Sequence, residues 1–283
     1  MIKKMTYPIM INKIISYIAA EYCPIDAEIQ TGVQGVSGET SWAHMHAYRF
    51  AHAIALVSKY TQPGDLLVDV GAYPGTLLRL LKEVMGYQRL VGIGLSFNDD
   101  FVKQMKTFGI DFVPCNIDPT VCFTSEERLI DSRFHLQDSS ASAVFFMETI
   151  EHVYNVENVL AEIRRILKPG GIVYCTTNNI SHLLGFSRLL QGRSNLDTDL
   201  NSTSLLVSSQ WRGHVRFYSL GELEFLFAKT GFNVIEANYV EPYFMVGSRN
   251  FKRGFVYTLA KTVLHNFGGR FRSHIEVVCA KKG

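Results

Sequence analysis

Leu66 to Leu81 reads LLVDVGAYPGTLLRLL, and the fold is decided by how this stretch is read. An unbroken apolar run, Leu66, Leu67 and Val68, ends at Asp69 and a glycine turn, after which Leu77, Leu78 and Leu81 recur at helical spacing. The pattern predicts a buried strand, a tight loop and a helix. Gly71 and Gly75 carry no side chain, so a ligand can rest against the loop backbone, and the first N–H groups of the helix face it. Such a corner suits a nucleotide-like molecule. Pro74 is expected in the first helical turn, where its missing N–H costs nothing.

Outward from this corner, short apolar strands alternate with amphipathic helices. Strands are expected at Arg89–Leu95, Asp111–Asn116, Ala143–Met147 and Ile172–Thr176, with helices at Asn98–Phe108 and Val156–Leu167 and a turn at Lys168–Gly171. Further on, helices are expected at Leu183–Leu190 and Leu220–Lys229, the latter closed by Gly231, and a hairpin-like pair of strands at Asn233–Val240 and His274–Ala280. This alternation, without repeats, means an α/β fold, a mostly parallel sheet covered on both faces. Ligands of such sheets lie beyond the carboxyl ends of the strands, where strand order reverses.

Residues 1–62 are expected to form a helical N-terminal extension and lid. Ile11, Ile14, Ile15 and Ile18 make a stripe ended by Pro24, residues 28–40 a polar loop, and Trp42–Tyr60 a second helix. His44, His46 and His52 in that helix have no carboxylate at matching spacing and read as ordinary partly buried or surface histidines. Residues 63–283 would hold the main domain, with insertions at about 181–212 and 243–272.

Composition narrows the classes further. A chain of 283 residues that is 47% hydrophobic can bury one large core, and a formal charge of +2 calls for no nucleic-acid partner. Its five cysteines are scattered, mostly in apolar strands and without CxxC spacing, which predicts free buried thiols in a reducing compartment. Pro8, Asn12 and Lys13 interrupt any apolar stretch after Lys3 and Lys4, so no signal peptide is expected. No segment is apolar enough to span a bilayer, and a cytoplasmic location is the default. The insertion from Tyr243 to Arg272 carries six basic residues, among them Arg249, Lys252 and Arg253, no acidic one, and aromatics that include Tyr243, Phe244, Phe251, Phe255 and Tyr257. It reads as a solvated basic face, a contact for an anionic acceptor, or a peripheral contact with an acidic membrane; single-stranded RNA is the weaker alternative.

Four ordered motifs then carry a family resemblance: Asp69-Val70-Gly71 with Gly75, METIEH at 147–152, IRRILKPGG at 163–171, and GHVRFYSLGELEFLFAKTGF at 213–232. Together they resemble the class I S-adenosylmethionine-dependent methyltransferases over roughly Leu66 to Val240. The resemblance implies a Rossmann-like seven-stranded sheet with its last strand antiparallel. It also implies a donor site in which Asp69, Gly71, Ala72 and Gly75 hold the methionine part and ribose, Asn116 and Ile117 the adenine, and Met147 and Glu148 the wall beside the methyl group. Two positions depart from the pattern. The acidic residue that normally ends the second strand is Gly94, with Ser96, Asn98 or Asp99 as substitutes, and Tyr73 stands where the loop is usually small.

Glu148, Glu151 and His152, followed far along the chain by His214, are similar to the metal site of small-RNA 2′-O-methyltransferases and to ubiquinone-pathway O-methyltransferases. The resemblance implies either Mg²⁺ or another divalent metal on these four residues, or a packed helix in which His152 or His214 acts as general base beside Glu151. The expected reaction is methylation of an oxygen on a small molecule, sugar or lipid-linked glycan. The rivals are a catalytically degenerate binding protein on the same fold and a nicotinamide dehydrogenase. GxxxG in place of GxGxxG disfavours the dehydrogenase.

Overall fold

The computed structural model describes residues 7–20, 49–95, 99–120, 122, 125, 127–195, 214–241 and 269–283. In chain order these form α1 (Tyr7–Ala20), α2 (residues 49–57), β1 (Leu66–Val70), α3 (Thr76–Glu83), β2 (Arg89–Gly94), α4 (Asp99–Thr107) and β3 (Ile110–Pro114). There follow β4 (Ala141–Met147), a 3₁₀ turn (Ile150–His152), α5 (Val156–Ile166), β5 (Leu167–Asn178), α6 (Leu183–Leu190), α7 (Leu220–Lys229), β6 (Phe232–Val240) and β7 (His274–Lys281). The polar stretches 28–40, 201–212 and 243–268, together with His44, His46, Ser96 and Asn98, lie outside the described residues.

The sheet has seven strands in the order β3-β2-β1-β4-β5-β7-β6, with β7 antiparallel to both neighbours. The order reverses between β1 and β4, and the glycine corner of the quoted stretch sits at that point. Burial of every residue of β1 explains its apolar run: Leu66, Val68 and Val70 face one layer and Leu67 the other. Helices α5 and α7 cover the first face through Val159, Leu160, Ile163, Leu223 and Phe227. The opposite face is covered by α1 to α4, where Ile14, Ile54, Leu78, Leu81 and Phe101 meet Leu67, Phe145 and Tyr174. The described helices of the N-terminal extension are therefore part of the main core.

Local chemistry sets the helix starts. Ser219 and Glu222 form a reciprocal capping box at α7, and Asn155 caps α5. Helix α3 starts differently from expectation. Its N-cap is Gly75 at φ 83°, so Pro74 lies before the helix, joined to Tyr73 by a cis peptide bond. The expected turn at Lys168–Gly171 is instead taken into β5, which pairs Ala141 with Leu167 and Ala143 with Ile172 across an irregularity. Among the described residues no helix is long and apolar enough to cross a membrane. Cys115, Cys175 and Cys279 are free and buried, as expected from their strand positions.

Candidate active site

The site is built at the carboxyl ends of β1, β4 and β5. Asp69, next to last in β1, is buried and lies opposite Gly92 and Phe145 in the ladders. Burial pushes its carboxyl up to about 7, with the Arg49 guanidinium of α2 pulling the other way. Gly71 follows at φ 85°. Its backbone N–H donates to the Ile93 carbonyl at 2.8 Å, as Ala72 N–H does at 3.2 Å. The loop is thus tied to β2 by these two N–H groups. What remains for a ligand is the exposed backbone of Gly71 and the buried acid.

Thr149 explains why Gly71 must be glycine here. A Cβ at Gly71 would lie 2.2 Å from Thr149 Oγ1 and 2.8 Å from its Cγ2, so the loop after β1 and the loop after β4 touch with no room between them. Gly75 is similarly enclosed by Phe112, Met105 and Phe101. Tyr73 does not fold inward: it is 40% exposed, and its ring packs on Phe101 at 5.2 Å. Gly94 ends β2, buried, its carbonyl accepting from Cys115 N–H at 2.8 Å. Asn116 is buried beyond β3, donating to Cys122 Sγ at 3.4 Å, and Ile117 packs into the core on the α5 side. Met147 is half-buried against the core on the α1–α4 side.

The METIEH motif divides its two acids. Glu148 adopts a left-handed backbone, φ 48°, before the 3₁₀ turn, so it does not share a helical face with Glu151. Its Oε2 lies 3.0 Å from His274 Nε2, and Thr176 Oγ1 donates to its Oε1 at 2.8 Å. Burial opposes charge on Glu148, but His274, Thr176 and Arg49 outweigh it and hold the carboxyl well below the usual range. Glu151 goes the other way. It is 1% exposed, and burial followed by the charge of Glu148 raises its carboxyl, although Thr177 Oγ1 donates to it at 2.8 Å.

His214 arrives next to Glu151 because the chain after the insertion docks on the same residue. Val215 N–H donates to the Glu151 carbonyl at 2.8 Å, and the His214 Nε2 lies 4.0 Å from Glu151 Oε1. The rings of His152 and His214 stand 4.7 Å apart. One ligating atom from each of Glu151, His152 and His214 falls within 4.8 Å of the others, an arrangement that a divalent cation could bridge. Glu148, named with them from sequence, is not in this group, because His274 holds it elsewhere. Sequence reasoning also passed over Arg49, Thr149, Thr176, Thr177 and His274. Thr149 stood inside a motif already singled out, whereas His274 had no local signal, its partner being far away in the chain.

These residues are those of a methyltransferase corner: buried acid, glycine turn, and a second loop with polar groups beside it. A methyltransferase-domain family profile matches residues 41–237, and the chain belongs to this family of S-adenosylmethionine-dependent methyltransferases. The match takes in part of the N-terminal extension and stops before β7. The dehydrogenase reading falls with it. The sterol 24-C-methyltransferase erg6 of Schizosaccharomyces pombe is 28% identical over 129 residues, covering 44% of this chain and 32% of that protein. The sterol 24-C-methyltransferase ERG6B of Gibberella zeae is 28% identical over 155 residues, covering 55% and 37%. The aligned part thus spans about a third of the length of these curated relatives.

Solved structures share the fold. The complex of the Haloferax volcanii Trm112 methyltransferase activator with a methyltransferase contains a chain matched at TM-score 0.58 and 19% identity, over 95% of this chain and 98% of that one. Geranyl diphosphate methyltransferase in complex with its donor matches at TM-score 0.53 and 15% identity, over 88% and 92%. The donor set fits S-adenosylmethionine on its own terms. A buried carboxylate with a guanidinium acting on it complements the ammonium and carboxylate of an amino-acid tail, and the exposed Gly71 leaves room for close approach.

Proposed function

We propose that the protein transfers a methyl group from S-adenosylmethionine to a hydroxyl oxygen of a small molecule, sugar or lipid-linked glycan. The observation that carries this reading is the group of Glu151, His152 and His214, the first two in the turn after β4 just beyond the Thr149 that packs against the glycine loop, the third brought to them by the segment before α7. An oxygen acceptor needs help losing its proton, and an imidazole pair beside a buried carboxylate can hold or move it. Bound S-adenosylmethionine supplies an activated methyl group on a sulfonium, so apart from taking the acceptor's proton the chain's residues align the acceptor and exclude water. Asp69 would take the donor's ammonium and Arg49 its carboxylate, with Met147 beside the methyl. The adenine would lie near Asn116 and Ile117. The ribose would be held without the acid that Gly94 replaces.

A divalent cation such as Mg²⁺ would sit on Glu151, His152 and His214, where it would lower the pKa of an acceptor hydroxyl. Without it, His152 or His214 serves as general base, with Glu151 orienting the pair. The apolar side of the acceptor has support too. Helix α6 exposes Phe186, Leu189 and Leu190, and it starts at His182, whose ring lies 6.5 Å from Phe217, itself 5.2 Å from His214. A helix with bare leucines at the edge of the site suits an amphipathic acceptor, in keeping with the sterol and prenyl acceptors in the relatives' names.

The test is transfer of labelled methyl from S-adenosylmethionine into fractionated cell extracts, lipid and aqueous. Label is expected in an organic-extractable product, released as a methyl ether. Binding of S-adenosylhomocysteine without transfer to any fraction would favour the degenerate binding protein.

A further inference from the structure

Strand β7 lies outside the segment that matches the family, and it carries a buried acid that neither the donor corner nor the Glu151 group uses. Glu276 is 1% exposed on β7, opposite Thr176 of β5 in the ladder. A buried carboxylate is expensive unless its lone pairs are met, and here every partner is specific. Tyr174 OH donates to Oε2 at 2.8 Å, Asn238 Nδ2 donates to Oε1 at 3.2 Å, and His52 Nε2 of α2 lies 2.9 and 3.0 Å from the two oxygens. Tyr174 and Asn238 belong to the sheet. His52 is the one partner in this set that comes from a helix.

His52 stands three residues after Arg49 on α2, so the two side chains share a helix face. Arg49 is the guanidinium whose charge acts on Asp69, Glu148 and Glu151 together. The flanking residues Phe50, Ala51, Ala53, Ile54 and Val57 fix the height of the helix on the sheet through apolar packing, which is permissive about rotation and sliding. The His52 to Glu276 contact is directional, and the hydrogen bond to Glu276, helped by its charge, raises the imidazole pKa against the cost of burial.

We infer that His52 and Glu276 are positioning residues for the donor site: they set the register of α2 on the sheet and so hold Arg49 at the amino-acid tail of the methyl donor. This rests on the donor site proposed above. It assigns a function to a part of the chain, β7, that the family match does not reach.

The experiment compares two ligands by calorimetric titration of the full chain. S-adenosylhomocysteine carries the amino-acid tail, and 5′-methylthioadenosine lacks it. His52→Leu, at a side chain 40% exposed, is expected to fold. It should weaken S-adenosylhomocysteine about tenfold and leave methylthioadenosine unchanged. His52→Gln, which keeps an N–H for Glu276, should recover most of the loss. In an Arg49→Ala background, His52→Leu should have no further effect on S-adenosylhomocysteine, because the group it positions is gone. Equal weakening of both ligands, or additive losses in the double variant, would overturn the inference and leave a general structural role. A wild-type protein that binds methylthioadenosine and not S-adenosylhomocysteine would overturn the tail assignment of Asp69 and Arg49 itself. A wild-type protein that binds neither ligand would overturn the donor site, and this inference with it.

Discussion

Gly71 and Thr149 meet with no space for a side chain between them: a Cβ on the glycine would lie 2.2 Å from the threonine Oγ1. This contact locks the loop after β1 to the loop after β4, and it couples the donor corner to the segment that carries Glu151 and His152. Gly71→Ala would suffer both the overlap and a left-handed backbone at φ 85°. The expected loss is about 2–4 kcal/mol of stability in denaturant melts. Adding Thr149→Ala should return part of it, since the overlap would be relieved while the backbone strain stays. A Gly71→Ala protein as stable as the parent would show that the two loops separate easily.

Asp69 sets stability against binding. The unfolded chain ionises this carboxyl near 3.8 and the folded chain near 7, so its cost to the ligand-free fold grows between those pH values and is constant above them. Asp69→Asn should therefore stabilise the ligand-free protein at pH 8 by on the order of 2–4 kcal/mol. The same change should weaken S-adenosylhomocysteine. Parent affinity should rise with pH through about 7 and level off as the buried acid becomes available to the ammonium, whereas the variant should lack that rise. Parallel pH curves for the two proteins would remove Asp69 from the ammonium site.

The separation of Glu148 from Glu151 can be read with a paramagnetic ion. Mn²⁺ titration followed by electron paramagnetic resonance is expected to find one site per chain, weakened about tenfold or more by Glu151→Gln or His214→Ala. Glu148→Gln should leave it close to wild type. Equal loss in that variant would return Glu148 to the ligand set, and an absence of any Mn²⁺ site would leave the two histidines as acid–base groups.

His274→Ala removes the imidazole that faces Glu148 Oε2 and leaves a largely buried acid with Thr176 and Arg49. A cost of about 2–4 kcal/mol at neutral pH follows from truncating one side of such a pair. Because the folded-state pKa of Glu148 is depressed, its contribution is full above the ordinary carboxylate range and fades as pH falls below it. Acid unfolding of the parent should show that fading, and His274→Ala should flatten it. An unchanged acid transition would mean the pair contributes nothing.

Much of this was legible in the chain because parallel strands buried on both faces write themselves as apolar runs, and β1, β2 and β4 do so. Leu183–Leu190 and Leu220–Lys229 could be read to the residue from apolar spacing and, for the second, the glycine that closes it. Pro74 misled because a proline before a helix and one in its first turn look alike in sequence; the φ of Gly75 decides between them. Lys168–Gly171 looked like a turn, and it is an irregular entry into β5. The site residues that stayed hidden are those whose partners are remote. Nothing near His52 announces Glu276, and nothing near Glu148 announces His274. Glu148 also looked like a helical neighbour of Glu151 until its positive φ turned it away.

The order of the sheet has a consequence for how the protein is made. Among the described residues β6 bonds to no strand but β7, and β7 lies between β6 and β5. As the polypeptide leaves the ribosome, β6 therefore emerges without a bonding neighbour and has to wait for residues 274–281 to slide in between. Until then the nascent chain lacks His274 and Glu276 as well as the complete seven-stranded sheet. Assembly of the pocket waits on residues 274–281, so a copy truncated before them would display the glycine corner while lacking the groups that arrange Arg49 and Glu148 around it.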